Sequence, residues 1–314
     1  MRPVTLLAVG GTIAMAADRQ SAATPALDAA ALVAAAGLEV ASARSVLAKP
    51  SVHLSLDDAL AVAREAVAAA SSGSGVVLTT GTDTLEELAV LIDAMNGAEA
   101  PIALTGAIRP ASAPGADGPA NLVDAVALAG AGPGGTYAVF AGEVHGAREV
   151  RKSDSTSPRA FSSPRSGPLG FVAEGRVDLR AAAPRPAPLA VERLDFAVPI
   201  VPTWLGDDGS LLRAALDLRP DALVLVALGA GHVPPAVLAV LKEAACPVAV
   251  ALRPERGQLL RATYGFEGAE GDVRATGAVP AATLSPQAAR MLLLAALGAG
   301  LHGAEVAAAF DSAV

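Results

Sequence analysis

The chain has 314 residues, which is too long for one ordinary core and predicts about two domains. Its composition of 53% hydrophobic, 17% charged and only 3% aromatic residues predicts a soluble globular protein with a core of alanine, valine and leucine. A formal net charge of −8, with no basic run longer than Arg151–Lys152, argues against a nucleic-acid partner and favours small-molecule ligands.

Cysteine and histidine residues give no sign of a disulfide or a metal site. The single cysteine, Cys246, cannot form an intramolecular disulfide, and His53, His145, His232 and His302 show no metal-ligand spacing with it. Glycine, proline or charged residues interrupt each apolar run before the ~20 residues that a membrane span requires. The opening MRPVTLLAVGGT resembles a signal peptide only superficially, because its apolar part is short and fits a first strand. We therefore expect a cytoplasmic protein that does not bind a membrane.

Strands alternate with helices along the N-terminal half, which is the pattern of a parallel sheet covered on both faces. The first strand, 4–9, ends at Gly10-Gly11-Thr12, where glycines let the backbone turn tightly and approach a ligand closely. The further predicted elements are helices at 30–36 and 56–70, a strand at 76–79 with an amphipathic helix after it, strands at 102–105 and 137–140, and a helix opened by Asp117-Gly118-Pro119.

A proline-rich stretch, AAAPRPAP at 181–188, interrupts this pattern because neither a helix nor a strand tolerates its prolines. We interpret 1–182 as an N-terminal domain, 183–199 as a linker and 200–314 as a C-terminal domain. In the C-terminal domain the sequence predicts strands at 200–202, 222–226 and 248–250, helices at 210–217 and 235–245, and a further helix from Pro286. The fold class is α/β, with a larger parallel-sheet N-terminal domain and a smaller C-terminal α/β domain.

The most informative stretch is 76–93, VVLTTGTDTLEELAVLID. An apolar strand there runs into a Thr-Gly-Thr-Asp turn and then a helix, which places Thr80, Thr82 and Asp83 at a carboxyl strand end. Open α/β sheets bind their ligands at such ends. Thr12 follows the first strand in the same way. Either threonine alone is better explained as a cap or turn residue, whereas the two together indicate a site.

A threonine hydroxyl is a weak nucleophile at neutral pH and needs a base within hydrogen-bond reach. Lys152 lies a few residues after the strand at 137–140 and is a candidate. Burial beside a carboxylate such as Asp83 could adjust its proton affinity enough to move protons. Considered alone, a lysine in such a segment is ordinarily a surface charge.

Several motifs together carry a family resemblance. They are AVGGTIA at 8–14, TTGTDTLEE at 79–87, TGAIRP at 105–110, DGPANL at 117–122, REVRKSD at 148–154, GPLGF at 167–171 and LSPQAAR at 284–290. With them the chain resembles the bacterial-type L-asparaginases nearly end to end. The resemblance implies hydrolysis of L-asparagine to L-aspartate and ammonia through a threonine-bound acyl-enzyme, with a side activity on L-glutamine and no metal or organic cofactor. It also implies a homodimer or homotetramer with sites at the subunit interface.

The resemblance also implies roles for individual residues. Thr12 matches the primary nucleophile, which attacks the side-chain carboxamide. Thr82 forms a proton-relay triad with Asp83 and Lys152 and helps to activate the hydrolytic water. Asp83 matches the carboxylate that binds the substrate α-ammonium, and Ser51 matches the serine that binds the α-carboxylate.

The C-terminal domain and the loops are matched less closely. Glu270 falls near an acidic residue that a neighbouring subunit contributes to substrate binding, although the spacing is loose. Residues 14–31 lack the loop tyrosine that helps to activate the nucleophile in better-known members, and 16–27 could close over substrate. Val52 replaces a polar or acidic side chain, which predicts weaker ammonium binding. The turn at 229–234 lacks the asparagines often found there, which predicts a shifted substrate preference.

Three other functions stay open from the sequence. The protein could be a binding protein or sensor that keeps the amino-acid pocket but has lost turnover. The missing tyrosine favours this alternative, whereas the presence of Thr12, Thr82, Asp83 and Lys152 together argues against it. An amidase component of a transfer-RNA transamidation complex would be expected to carry an added N-terminal domain, whereas this chain begins directly at its first strand. A nucleotide-binding enzyme would require GxGxxG or GxxxxGK[ST] after a strand, and neither motif follows a predicted strand here.

Overall fold

A computed structural model of the chain describes residues 1–16, 24–281 and 283–311. The expectations about the loop 16–27 and the missing tyrosine rest largely on 17–23, which lie outside the described residues. The chain divides into two compact units, Met1–Pro188 and Leu189–Val314. This division falls inside the segment 183–199, whose limits as a linker stay a prediction.

The first unit is built on a mixed sheet. Its strands are β1 (Val4–Ala8), β2 (Met15–Ala16), β3 (Thr24–Pro25), β4 (Ser42–Ser45), β5 (Gly75–Thr79), β6 (Pro101–Thr105), β7 (Gly135–Phe140), β8 (Glu143–Gly146), β9 (Arg151–Lys152), β10 (Phe161–Ser162), β11 (Gly170–Ala173) and β12 (Arg176–Leu179). Its helices are α1 (Ala29–Ala35), α2 (Leu56–Ser71), α3 (Leu85–Met95) and α4 (Gly118–Ala131). Eight strands form the main sheet in the order β12-β11-β8-β7-β6-β5-β1-β4.

Strands β4, β1, β5, β6 and β7 run parallel, which confirms the predicted parallel-sheet architecture. Strands β1, β5 and β6 are buried along their whole length, as expected for parallel strands with helices on both faces. Strands β8, β11 and β12 extend the sheet in antiparallel fashion and were not predicted. A tight turn at Ala141-Gly142, with φ values of 49° and 79°, reverses the chain between β7 and β8.

The second unit is a smaller α/β domain with a four-stranded parallel sheet in the order β13-β14-β15-β16. Its strands are β13 (Ile200–Pro202), β14 (Leu223–Ala227), β15 (Val248–Leu252) and β16 (Val279–Pro280). Its helices are α5 (Ser210–Asp217), α6 (Pro235–Leu241), α7 (Glu270–Ala275), α8 (Pro286–Gly298) and α9 (Ala304–Asp311). Helix α6 is shorter than the predicted 235–245, because after Leu241 the Glu243 and Ala244 N–H groups bond carbonyls three residues back instead of four, and the helix ends in tighter turns. Across the described part of the chain, no helix has the length and apolar character needed to cross a membrane.

Candidate active site

Glycines allow two strand-end turns of the first unit to pack against each other. Strands β1 and β5 are parallel neighbours, so their carboxyl ends lie side by side. Gly11 has a φ of 85°, and a Cβ there would overlap the backbone nitrogen of Gly81. Gly10 has a φ of 120°, and a Cβ there would lie 2.5 Å from the Lys49 carbonyl oxygen. Because a larger residue would separate these segments, the glycines bring the GGT and TGTDT turns into contact.

Thr12 begins a short 3-10 turn, Thr12–Ala14, at the end of β1. The turn is closed by the Ala14 backbone N–H, which donates to the Gly11 carbonyl at 3.0 Å. Ile13 and Ala14 are buried and fix the turn to the core, whereas Thr12 is only half-buried. The residue before this turn, Gly11, packs against Gly81, so the Thr12 turn begins beside the TGTDT turn.

Lys152, Thr82 and Asp83 form a direct polar cluster. The Lys152 ammonium donates to Thr82 Oγ1 at 2.9 Å and to Asp83 Oδ1 at 2.6 Å. Thr82 is buried, and the side chain of Lys152 is 19% exposed. The Asp83 side chain is 58% exposed, so one carboxylate oxygen pairs with the lysine while the group still faces solvent. The arrangement joins a hydroxyl, a cation and an open carboxylate within hydrogen-bond reach.

Ser51 lies against the same turn. It is buried at the start of a short 3-10 helix, and a Cβ on Gly81 would lie 2.5 Å from its Oγ. Its carbonyl oxygen accepts a hydrogen bond from Thr84 Oγ1 at 3.3 Å, which ties the segment to the TGTDT turn. The next residue, Val52, is largely exposed and apolar. The segment therefore brings a hydroxyl to the site without an adjacent acidic group.

A hydrogen-bonded network supports the site from behind, and sequence reasoning assigned it no role. The loop after β6 begins at Gly106, where a Cβ would lie 2.6 Å from the Thr80 carbonyl oxygen and 3.3 Å from Thr82 Cγ2. Asn121 donates to the Gly106 carbonyl oxygen at 3.0 Å and accepts from the Ala141 N–H at 2.9 Å. The TGAIRP and DGPANL motifs were the available signal, because they supply Gly106 and Asn121.

A buried histidine lies beside the segment that carries Lys152. His145 is fully buried, and its Nδ1 is 3.0 Å from Ser163 Oγ, just after β10. Its Nε2 is 3.5 Å from a carboxylate oxygen of Glu143. Burial lowers the pKa of His145 to about 4, against the opposing attraction of Glu143, so the ring is neutral near pH 7. Sequence reasoning treated it as an ordinary core or surface residue.

Glu270 lies in the second unit, at the start of α7. Its Oε1 accepts hydrogen bonds from the backbone N–H groups of Thr263 and Tyr264, the latter at 2.9 Å. Its Oε2 is 3.2 Å from His232 Nε2. Burial tends to raise the pKa of Glu270, but the backbone donors and His232 outweigh it and lower that pKa below its ordinary value. The contacts described for this carboxylate lie within its own unit.

In the described ranges 1–16, 24–281 and 283–311, no group of three or more histidine, cysteine, aspartate and glutamate side chains could hold a metal ion.

Comparison with known proteins covers both units. Residues 3–185 match the family described as "Asparaginase, N-terminal", and residues 197–310 match the "Glutaminase/Asparaginase C-terminal domain". A "Probable L-asparaginase" of Deinococcus radiodurans is 36% identical over 260 residues, which are 78% of this chain and 77% of that protein. A "Probable L-asparaginase periplasmic" of Haemophilus influenzae is 33% identical over 94% of this chain and 88% of its own length. The solved structure of a probable cytoplasmic L-asparaginase from Campylobacter jejuni matches 99% of both chains, at 28% identity and a TM-score of 0.85.

Proposed function

The chain belongs to the asparaginase family, and from this premise we propose that it hydrolyses L-asparagine to L-aspartate and ammonia with Thr12 as the nucleophile. The observation that carries the proposal is the contact of the Lys152 ammonium with both Thr82 and Asp83. This cluster lies on the turn against which the Thr12 turn packs. Adjacent strand ends thereby supply the Thr12 nucleophile and the Thr82 hydroxyl, which Lys152 contacts from a separate hairpin.

In the first step, the Thr12 oxygen attacks the carbon of the substrate carboxamide and forms a new C–O bond. A carboxamide is a poor electrophile, so the developing oxyanion needs hydrogen-bond donors, which tight glycine turns can supply as backbone N–H groups. The hydroxyl proton passes to the departing nitrogen, the C–N bond breaks, and ammonia leaves. The product of this step is an ester between Thr12 and the aspartyl group.

In the second step, water hydrolyses that ester, and we assign its activation to Thr82 with Lys152 and Asp83. The Lys152 nitrogen lies 2.9 Å from Thr82 Oγ1, so lysine in its neutral form is within reach to accept the threonine proton while the threonine takes one from water. Asp83 stabilises the lysine as it becomes charged again. The water oxygen bonds to the acyl carbon, the ester bond to the Thr12 oxygen breaks, and that oxygen takes the proton that Lys152 had accepted, so that L-aspartate is released with Thr12 and Lys152 restored.

Substrate binding uses the charges of the free amino acid. We assign the α-ammonium to the exposed carboxylate of Asp83 and the α-carboxylate to the Ser51 hydroxyl. Partners for both charges would select a free amino acid over an asparagine side chain in a protein. Because the exposed Val52 offers the ammonium no further charge, we expect modest affinity for the substrate.

We also propose a side activity on L-glutamine, a homodimer or homotetramer, and a cytoplasmic location. The glutamine proposal is supported by the description of the matched C-terminal family and by the small effect, about 1–3 kcal/mol, of one methylene in a pocket. In the assembly, Glu270 of one copy would complete the site of another. The location is supported by the likeness to the Campylobacter protein, whereas the Haemophilus relative is described as periplasmic.

The first experiment is a measurement of ammonia release from L-asparagine and L-glutamine by the wild type and by Thr12→Ala and Thr82→Ala. Removal of a catalytic nucleophile or its activating group should lower kcat by at least about 10³-fold. Thr276→Ala, at the end of α7 in the second unit, is the matched control and should keep full activity. Full activity in Thr12→Ala would refute the assigned nucleophile. Asparagine binding without turnover by the wild type would instead mean a binding protein.

A further inference from the structure

Lys152 lies on a short hairpin outside the main sheet of the first unit. Strand β9, which carries it, pairs with β10 alone, in the register Phe161 with Lys152 and Ser162 with Arg151. An isolated two-stranded hairpin is marginally stable at best in water. Side-chain contacts from this segment to the rest of the unit must therefore fix the position of the Lys152 ammonium.

The β10 side of the hairpin is held by two such contacts. The ring of Phe161 stacks on that of Phe140 at the end of β7, with 4.2 Å between ring centroids. Ser163, just after β10, contacts the buried His145 of β8. Both contacts act on the strand opposite Lys152, and neither involves the segment that leads into β9.

A buried ion pair holds that leading segment. Arg148 lies four residues before Lys152, and its Nε donates to Asp93 Oδ2 at 2.6 Å. The two side chains are 7% and 5% exposed. Asp93 belongs to α3, the helix that begins at Leu85, directly after the TGTDT turn. The pair thus links the lysine segment to the helix that continues from Thr82 and Asp83.

The pair is poorly explained by stability alone. Burying two charges carries a desolvation cost that their attraction often only offsets, and apolar replacements of similar size are frequently no less stable. The Arg148 Nη1 atom is also buried without a hydrogen-bond partner among the described residues, which adds to the cost. What a short charge-assisted hydrogen bond does provide is fixed geometry between the two elements that it joins.

We propose that Arg148 and Asp93 are positioning residues for the reaction, which hold Lys152 at hydrogen-bond distance from Thr82 and Asp83. The proposal rests on the proton-relay role assigned to Lys152 under the proposed function. Neither residue touches the reacting atoms, and both act through the placement of the lysine ammonium. Loss of the pair should therefore lower the rate of the chemical steps more than the affinity for substrate.

The test compares Asp93→Asn with a double variant, Asp93→Leu with Arg148→Met, that replaces the buried charges by apolar side chains. Melting temperature, kcat and KM for L-asparagine are measured for each. We expect both variants to lose about 10–100-fold in kcat with KM changed by less than about threefold, the scale of a misplaced catalytic group. The double variant should keep or exceed the wild-type melting temperature. Glu99→Gln, in the exposed pair with Arg185, is the control and should change neither kcat nor KM.

A second readout does not depend on activity. The rate at which Lys152 is acylated by a small amine-directed reagent, followed by mass spectrometry of the peptide, reports whether the ammonium is held in its pair. We expect faster acylation in both variants than in the wild type, with Lys49 and Lys242 unchanged. A folded double variant with wild-type kcat and an unchanged acylation rate would overturn the proposal. If Lys152 is acylated faster in both variants but substitution of Lys152 itself does not lower kcat, the proton-relay role assigned to Lys152 is refuted. The conclusion that Arg148 and Asp93 hold the lysine in place would still stand.

Discussion

Each of the two units has a carboxylate at the start of a helix that contacts a basic side chain: Asp83 with Lys152, and Glu270 with His232. The two carboxylates differ in how many of their oxygens already take part in hydrogen bonds. In the first unit, Asp83 pairs with Lys152 through one oxygen and is 58% exposed. In the second unit, both oxygens of Glu270 are engaged, by two backbone N–H groups and by His232, and the side chain is 1% exposed. The Asp83 cluster can take up a ligand charge, whereas the Glu270 carboxylate is held in place by its own unit.

This contrast indicates where chemistry and where positioning should be found. A cation that touches a hydroxyl and an open carboxylate can move a proton and still bind a substrate charge. A carboxylate whose two oxygens both take part in hydrogen bonds has a fixed direction, so it can serve as a rigid contact but not as a proton-transfer group. Substitution of Lys152 or Thr82 should therefore act on kcat, substitution of Asp83 on both kcat and KM, and substitution of Glu270 on KM.

The largest effect is expected for Lys152→Met. Loss of a positioned general acid–base group typically lowers the rate about 10²–10⁴-fold, and we expect kcat for L-asparagine to fall within that range. Lys152→Arg should retain the contact to Asp83 and an unchanged KM, yet stay as slow, because a guanidinium does not release its proton. Steady-state kinetics of ammonia release measures both.

Lys242→Met, in the exposed C-cap of α6, is the matched control and should behave as the wild type. Recovery of most of the rate in Lys152→Arg would mean that the lysine acts through its charge alone. The Asp83 cluster would then resemble the Glu270 cluster in function, and the contrast between the units would fail.

The first unit also has a histidine–glutamate contact, His145 with Glu143, which can be compared with His232 and Glu270 of the second unit. The buried His145 predicts how the stability of the protein depends on pH. An unperturbed histidine has a pKa near 6.5, whereas burial lowers that of His145 to about 4 in the folded chain. Between these values the unfolded chain binds a proton that the folded chain does not, so stability falls as the pH falls. The free energy of unfolding should lose about 3 kcal/mol over this window because of His145.

Urea unfolding at several pH values between 7 and 4 measures this loss. In His145→Gln, which keeps a polar contact to Ser163 but does not titrate, the stability should depend less steeply on pH below 6.5. His302→Gln, in an exposed segment after α8, should follow the wild type. If His145→Gln and the wild type show the same pH dependence of stability, then the attraction of Glu143 cancels the effect of burial on the pKa of His145.

The sequence predicts the parts of the fold that depend on local pattern. The apolar runs that became β1, β5, β6, β13 and β14 end at glycine, threonine or proline, the run that became β15 ends at Arg253, and their parallel order follows from the alternation with helices. The antiparallel extension was missed because β11 and β12 are only four residues long, and an alternation as short as the RVDL of β12 does not by itself identify a strand.

In the site, too, residues that are neighbours in the sequence could be predicted, whereas contacts between residues far apart in the sequence could not. Thr82 and Asp83 are adjacent in the sequence, and a motif suffices to nominate them, although their roles and that of Lys152 stay proposals. The pairing of Asp93 with Arg148 spans 55 positions, and each residue alone reads as an ordinary surface charge. The Glu270 carboxylate accepts hydrogen bonds from the backbone N–H groups of Thr263 and Tyr264 because of the loop geometry, which composition and spacing do not reveal.

The smallest effect is expected for Glu270→Gln, and it tests the second half of the contrast. Glutamine has the same shape and can still accept from the Thr263 and Tyr264 N–H groups, so the loop should keep its structure while the charge is lost. If one copy supplies this charge to the site of another, KM for L-asparagine should rise by up to about tenfold, the scale of one charge-assisted contact, with kcat nearly constant.

Glu267→Gln, an exposed carboxylate three residues earlier, is the matched control for Glu270→Gln. Activity is measured over a range of protein concentrations beside sedimentation, because a site completed by a neighbouring copy must lose activity when the assembly dissociates. A fully active monomer, or an unchanged KM in assembled Glu270→Gln, would mean that Glu270 stabilises its own unit and does not contribute to the site of another copy. A raised KM in the assembly alone would mean that the two backbone donors to Oε1 fix Glu270 in the direction from which it meets the substrate of another copy.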